Sequence, residues 1–231
     1  MIFEIIKAAS LDIYITMDNL SMTSAIRQQV DGRLDRAITF TQEILTNLFA
    51  DFPQISGIIM RIGESDGQDV KGPLRSELLL RSARDTNQFI KELLPIFEAD
   101  ARNLIFRTWT VGAFSIGDLI WHRDTFARTL KGIDSPNFIV SMKFEESDFF
   151  RHLPLNSNFF RTNHRKLIEL QTRQEYEGAG QFPSYLCHHY TPYPTHLQPP
   201  PHLLRPTLFC QPRPPPPFPL LTLPPPTPLL P

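Results

Sequence analysis

The stretch "LIELQTRQEYEGAGQFPSY", Leu167–Tyr185, begins as a strand and ends as a loop. Ile168 and Leu170 alternate with Glu169, Gln171 and Arg173, the period-2 pattern of a half-buried strand. Glu175, Tyr176 and Glu177 follow, and then Gly178, Ala179, Gly180 and Pro183. A strand with charge on one face, running into a carboxylate-bearing loop with glycines, suits the mouth of a (β/α) barrel. Barrel active sites are built from strand C-termini and the loops after them.

The strands before it end the same way. "LDIYITMD" (Leu11–Asp18), "SGIIMRIGESDG" (Ser56–Gly67), "NLIFRTWTVG" (Asn103–Gly112) and "NFIVSMKFEESDFF" (Asn137–Phe150) are rich in Ile, Val, Phe and Thr. Their far ends carry Asp18; Arg61 and Glu64; Arg107 and Trp109; and Lys143 with Glu145, Glu146 and Asp148. The near ends are apolar or small apart from Asp12, Asn103 and Asn137. Arg61, Arg107 and Lys143 lie within or at the end of apolar runs, where a charge is costly unless paired or used. They either neutralise the carboxylates around them or receive an anionic ligand. Trp109 offers a flat apolar face for a sugar ring, or packs as an ordinary barrel side chain.

Helical patterns separate the strands. "TSAIRQQV" and then "RLDRAITFTQEILTNLFADF" follow the first, the latter with Leu34, Ile38, Thr41, Leu45, Leu48 and Phe49 near helical period. Ser76–Asp100 reads as one helix striped by Leu79, Ala83, Phe89, Leu93 and Phe97, which Pro95 should kink or divide. Ser115–Leu130 reads as another, with Ser115 as its cap. Strands alternating with helices imply βαβ units and a parallel sheet. The expected fold is α/β: a partial (β/α)8 TIM barrel of about five parallel strands over residues 1–185. "IFEIIKAAS" is an amphipathic helix with no strand ahead of it, so barrel units are expected to be missing there.

Residues 186–231 are different in kind. They hold 17 of the 23 prolines, both cysteines and four of the seven histidines, and no Asp, Glu, Lys or Gly. Such a tract packs no domain and is expected to be polyproline II-like or disordered. It reads as a pyrimidine-rich stretch translated out of frame. "RPPPPFP", Arg213–Pro219, has the spacing of an SH3-type ligand, a weak signal in a tract so dense in proline. The net charge of −1 provides no basic stripe for nucleic acid. No apolar run nears the ~20 residues of a membrane span, and Glu4 and the lack of a basic start rule against a signal peptide. The compartment is therefore left open, with the cytoplasm as default. Neither metal nor cofactor is implied.

Three stretches together resemble glycoside hydrolase family 67, the α-glucuronidases. "ELQTRQEYEG" is similar to that family's E-L-Q-x-x-Q-E-Y-x-G, through Glu169, Leu170, Gln171, Gln174, Glu175, Tyr176 and Gly178. "VSMKFEESDFF" resembles its strand in which a Lys precedes an Asp-Phe by five residues, here Lys143, Asp148 and Phe149. "GIIMRIGESDG" resembles its strand that ends in a catalytic Glu, here Glu64. The order of the motifs is the family's. The resemblance implies inverting hydrolysis that removes glucuronic acid from xylan-type oligosaccharides. Glu64 would be the general acid, and Asp148 and Glu175 would activate water. Arg61 and Lys143 would help hold the uronate. Asp18, Arg107 and Trp109, read from the strand ends, are expected at the substrate as well.

This chain departs from the family after Lys143, where Phe144, Glu145 and Glu146 intervene, and between Arg61 and Glu64. In family register the five strands would be the third to seventh of eight. The chain would then be truncated at both ends, unstable and inactive by itself. Two other functions are compatible with the residues: a different barrel enzyme that forms a Schiff base through Lys143, and a non-catalytic protein that acts through its proline-rich segment.

Overall fold

A computed structural model describes residues 2–19, 21–63, 74–76, 78–110, 115–120, 122–144 and 155–169. They lie in one compact unit, Met1–Ser184. Helix α1 (Ile2–Ala8) leads into β1 (Ile13–Asp18), β2 (Ser21–Thr23), α2 (Ser24–Val30), α3 (Leu34–Asp51) and β3 (Ile55–Arg61). Then come β4 (Leu74–Ser76), α4 (Ala83–Ala99), β5 (Asn103–Arg107), a 3₁₀ turn (Ser115–Leu119), α5 (Arg123–Leu130), β6 (Phe138–Lys143), a second 3₁₀ turn (Ser157–Phe160) and β7 (Arg165–Glu169).

Five of the strands form one parallel sheet in the order β1-β3-β5-β6-β7. Spatial order equals chain order. That is the winding of a (β/α) barrel and not of a doubly wound sheet, whose order reverses at a switch point. The fold is thus α/β, the five-stranded arc of a (β/α) barrel.

Register sorts the side chains onto two faces, since neighbours in a parallel ladder point the same way and successive residues alternate. One face carries Ile58, Met60, Leu104, Phe106, Phe138, Val140 and Met142, all buried. It packs in a single core with Leu45 and Phe49 of α3, Phe89, Leu93 and Phe97 of α4, and Phe126 of α5. Burying each such side chain is worth about 1.5–3 kcal/mol, so this face holds the helices to the sheet. The other face carries three rows: Tyr14–Gly57–Asn103, then Thr16–Ile59–Ile105–Ile139–Arg165, then Asp18–Arg61–Arg107–Ser141–Leu167. Polar rows bracket an aliphatic one, and the last row lies at the C-terminal edge of the sheet.

Several elements differ from what the sequence suggests. The helix expected to begin at Ser76 begins at Ala83. Ser82 is its cap, with Oγ accepting from the Asp85 N–H at 3.1 Å. Leu78 and Leu80, ahead of the helix, both bury in the core, and Leu74–Ser76 pairs antiparallel with Ser21–Thr23. Pro95 does not divide α4. Gln42 of α3 donates to the Glu92 carbonyl at 2.7 Å, supplying a donor in the turn that a proline disturbs. The helix expected over Ser115–Leu130 is split into the 3₁₀ turn and α5. The cap of α5 is His122, whose ring nitrogen accepts from the Thr125 N–H at 3.3 Å, not Ser115.

Among the described residues, no helix is long and apolar enough to cross a membrane. The proline-rich segment, 186–231, lies outside the described residues.

Candidate functional site at the C-terminal edge of the sheet

The described residues of the edge are Asp18, Arg61, Arg107, Trp109, Ser141, Lys143 and Glu169. Each is placed by the ladder. The Asn19 N–H donates to the Arg61 carbonyl at 2.7 Å, carrying the β1–β3 pairing one residue past Asp18. Thr108 continues β5 toward β6 through two bonds to the Ser141 carbonyl, from its N–H at 2.9 Å and its hydroxyl at 3.1 Å. Thr110 bonds the Ile116 carbonyl at 2.8 Å. Trp109 is therefore held between two pinned, buried threonines. On the far side, the Phe144 N–H donates to the Glu169 carbonyl at 3.0 Å and fixes Lys143 beside β7.

Two ion pairs and one cation–aromatic contact span the edge. Arg61 binds Asp18 in a fork, Nε to Oδ1 at 2.6 Å and Nη2 to Oδ2 at 2.7 Å. Arg107 Nε donates to Glu169 Oε2 at 2.8 Å, and Ser141 Oγ donates to Glu169 Oε1 at 2.7 Å. Lys143 Nζ stands 3.5 Å from the centroid of the Trp109 ring, a cation over an aromatic face. The sequence left two roles open for the rim cations. Arg61 and Arg107 each have a carboxylate of the chain as a partner, Arg61 through two nitrogens and Arg107 through Nε. One face of Trp109 is covered by Lys143, so that face is not an open platform for a sugar.

The Arg61 hydrogen bonds, with the charges of Arg61 and Arg107, hold the Asp18 carboxyl below its ordinary range against the opposing effect of burial. The folded-state value lies below the unfolded one. The pairing therefore stabilises the fold above the ordinary carboxylate range, and its contribution is lost as pH falls through the folded-state value. Asp18→Asn should therefore flatten the acid limb of the stability profile below about pH 4, as read by thermal unfolding at a series of pH values. Since the Asp18 side chain is 45% exposed, solvent screening keeps the effect small. An unchanged acid limb in the variant would count against the pairing.

Of the eight residues read from the sequence as a site, Asp18, Arg61, Arg107, Trp109 and Lys143 gather at this edge. Glu64, Asp148 and Glu175 lie outside the described residues. So do Glu145, Glu146, Arg173 and Glu177. Glu169 and Ser141 were missed as site residues. The signal for Glu169 was present in the charge of an alternating strand, and Ser141 was a lone hydroxyl in an apolar run. Asn19 was missed as well. It is 2% exposed, and neither of its side-chain amide atoms has a hydrogen-bond partner among the described residues. No group of three or more His, Cys, Asp or Glu among the described residues is arranged to hold a metal ion.

No family model matches the chain, and no curated protein matches it. Among solved structures, the chain is similar to one titled "Crystal structure of D-tagatose 3-epimerase-like protein", at 12% identity and a TM-score of 0.37. The match covers 64% of this chain and 50% of that one, so the chain spans about half the length of that structure. A likeness of this size assigns no reaction, and the architecture rests on strand order and register.

Proposed function

We propose that this edge is the mouth of a carbohydrate-active barrel enzyme, and that the reaction is inverting hydrolysis releasing glucuronic acid from xylan-type oligosaccharides. The observation that carries the proposal is the row of charged and polar side chains along the C-terminal edge of a singly wound parallel sheet. Catalytic groups of barrel enzymes stand at that edge. Glu64, Asp148 and Glu175 come three, five and six residues after Arg61, Lys143 and Glu169, the last residues of β3, β6 and β7. All three therefore follow strand ends at one edge, in the order of the α-glucuronidase motifs.

In this reading Glu64, as a protonated acid, gives its proton to the leaving glycosidic oxygen. Asp148 and Glu175 remove a proton from water on the opposite face of the sugar. An inverting enzyme keeps such carboxyls about 6.5–9.5 Å apart to leave room for that water. Arg107 and Lys143 receive the uronate carboxylate. Arg61, forked onto Asp18, shapes the wall of the mouth instead of binding substrate. Arg107 and Lys143 stand at neighbouring strand ends of the edge, and two cations there complement one carboxylate on a sugar.

The test is release of glucuronic acid from aldouronic oligosaccharides by the five-stranded arc completed to an eight-stranded barrel, with the anomeric configuration of the product followed by NMR. Release with inversion is expected, and its loss in Glu64→Ala and in Glu175→Ala. Turnover that persists unchanged in both variants removes the assignment. Borohydride trapping with a carbonyl substrate checks the Schiff-base alternative. A trapped adduct on Lys143 would favour that reading over hydrolysis.

A further inference from the structure

A guanidinium has two edges that fit a carboxylate, one through Nε and an Nη, the other through both Nη groups. The two rim arginines use these edges differently. Arg61 spends its Nε and Nη2 on Asp18. Arg107 is held at Nε alone, by one oxygen of Glu169. The other oxygen of Glu169 is held by Ser141 Oγ on the strand between them. β5, β6 and β7 thus contribute one member each to a chain of three: Arg107, Ser141, Glu169. The Glu169 carboxylate is pinned at both oxygens and half-buried, so it has little freedom to turn. Arg107 Nη1 and Nη2 bond none of the described residues.

We infer that Glu169 is a positioning residue: it anchors Arg107 by Nε and thereby presents the Nη1/Nη2 edge to the carboxylate of a uronic acid. The inference rests on the proposed reading of the edge as a uronate-binding mouth. Its chemistry separates it from a plain charge effect. Glu169 is an anion 2.8 Å from the arginine, so a mere charge role opposes an anionic ligand. Removing that charge would then tighten uronate binding. A positioning role predicts the opposite sign, because a loosened guanidinium loses the orientation that makes a two-bond contact strong.

The experiment is calorimetric titration of the full chain with D-glucuronate, and with D-glucose as the neutral control. It is run on the wild type, Glu169→Gln, Glu169→Asp, Ser141→Ala and Arg107→Ala. Positioning predicts about a tenfold weaker glucuronate affinity in Glu169→Gln and Glu169→Asp, equivalent to about 1.4 kcal/mol, with a smaller loss in Ser141→Ala. The affinity for glucose should be the same in all of them. A purely structural role would weaken both sugars together. Should Glu169→Gln fail to fold, Glu169→Asp, which keeps the charge but is shorter by one methylene, carries the test with Ser141→Ala.

Glucuronate affinity that is unchanged or tighter in the Glu169 variants, while Arg107→Ala abolishes it, overturns the positioning role and leaves the uronate reading standing. Wild-type affinity in Arg107→Ala, or no preference for glucuronate over glucose in the wild type, overturns the uronate reading at Arg107 and the inference with it.

Discussion

Gly57→Ala is expected to destabilise the chain by about 3 kcal/mol or more, the upper end of what overpacking costs. For a domain of this size that lowers the midpoint of thermal unfolding by roughly 6–12 °C. A Cβ on Gly57 would stand 2.2 Å from the Asn103 carbonyl oxygen and 2.8 Å from Cε1 of Tyr14. The first contact is with backbone, so no change of rotamer relieves it. β3 and β5 must part at the Gly57–Asn103 register, where the ladder begins. The second is with a ring that lies against the glycine and is held there, because Tyr14 Oη accepts from Asn103 Nδ2 at 2.9 Å. Urea unfolding of Gly57→Ala and of Gly57→Ala with Tyr14→Ala separates the two contacts. The double variant should recover little, since the carbonyl remains in the way. A single variant as stable as wild type would show that the sheet yields at this row at no cost.

Arg102→Met is expected to cost about 2–3 kcal/mol, although it keeps an unbranched stem of similar reach. Arg102 precedes β5 at the opposite end of the sheet from the site and is 8% exposed. Its guanidinium donates to the carbonyls of Ile55 and Pro53, at the start of β3 and in the turn before it. It pairs with Asp100 at 3.3 Å and stands 4.4 Å from the centroid of the Phe49 ring on α3. One side chain thus ties the start of β5 to that of β3 and to a helix. Methionine preserves the packing on Phe49 but has no donor, so the variant leaves the Ile55 carbonyl without this partner. Arg102→Lys should recover only part of the loss, having a single nitrogen for partners arranged around a fork. The check is the urea midpoint at 0.15 M and at 1 M salt. The loss should be nearly the same at both, because bonds buried this deeply are little screened. A midpoint for Arg102→Met equal to that of wild type would show that the carbonyls find other donors.

Stability and the candidate site meet in the same sheet. Gly57 and Arg102 hold β3 and β5 in register at one end. Arg61 and Arg107 are carried by those strands at the other end. A shift of one residue between strands turns every side chain to the opposite face. It would take Arg61 or Arg107 out of the row and put Met60 or Phe106 in its place. The chemistry of the edge therefore depends on packing at the far end.

Much of this was legible in the chain. The five strands, their parallel arrangement and the polar character of their C-terminal ends follow from local pattern. Apolar residues at period 2 or 3.6 must find a common face to bury, whatever the rest of the chain does. Ile38, Thr41, Leu45 and Phe49 are buried on α3 for that reason. Local pattern failed at the start of α4. Leu79 continues a helical stripe with Ala83, Phe89, Leu93 and Phe97 on paper, but Ser82 supplies a cap that starts the helix at Ala83 and leaves Leu78–Leu80 outside it.

Which charge meets which was not legible at all. Asp18 and Arg61 are 43 residues apart, and Arg107 and Glu169 are 62 apart. The sequence by itself determined that cations and carboxylates would collect at one edge of the sheet. Only the tertiary structure decided that Arg61 is taken up by Asp18 while Arg107 is held at a single nitrogen. Those pairings are set by strand register, and register is decided by the burial of a whole face at once and not by any residue's neighbours in the chain.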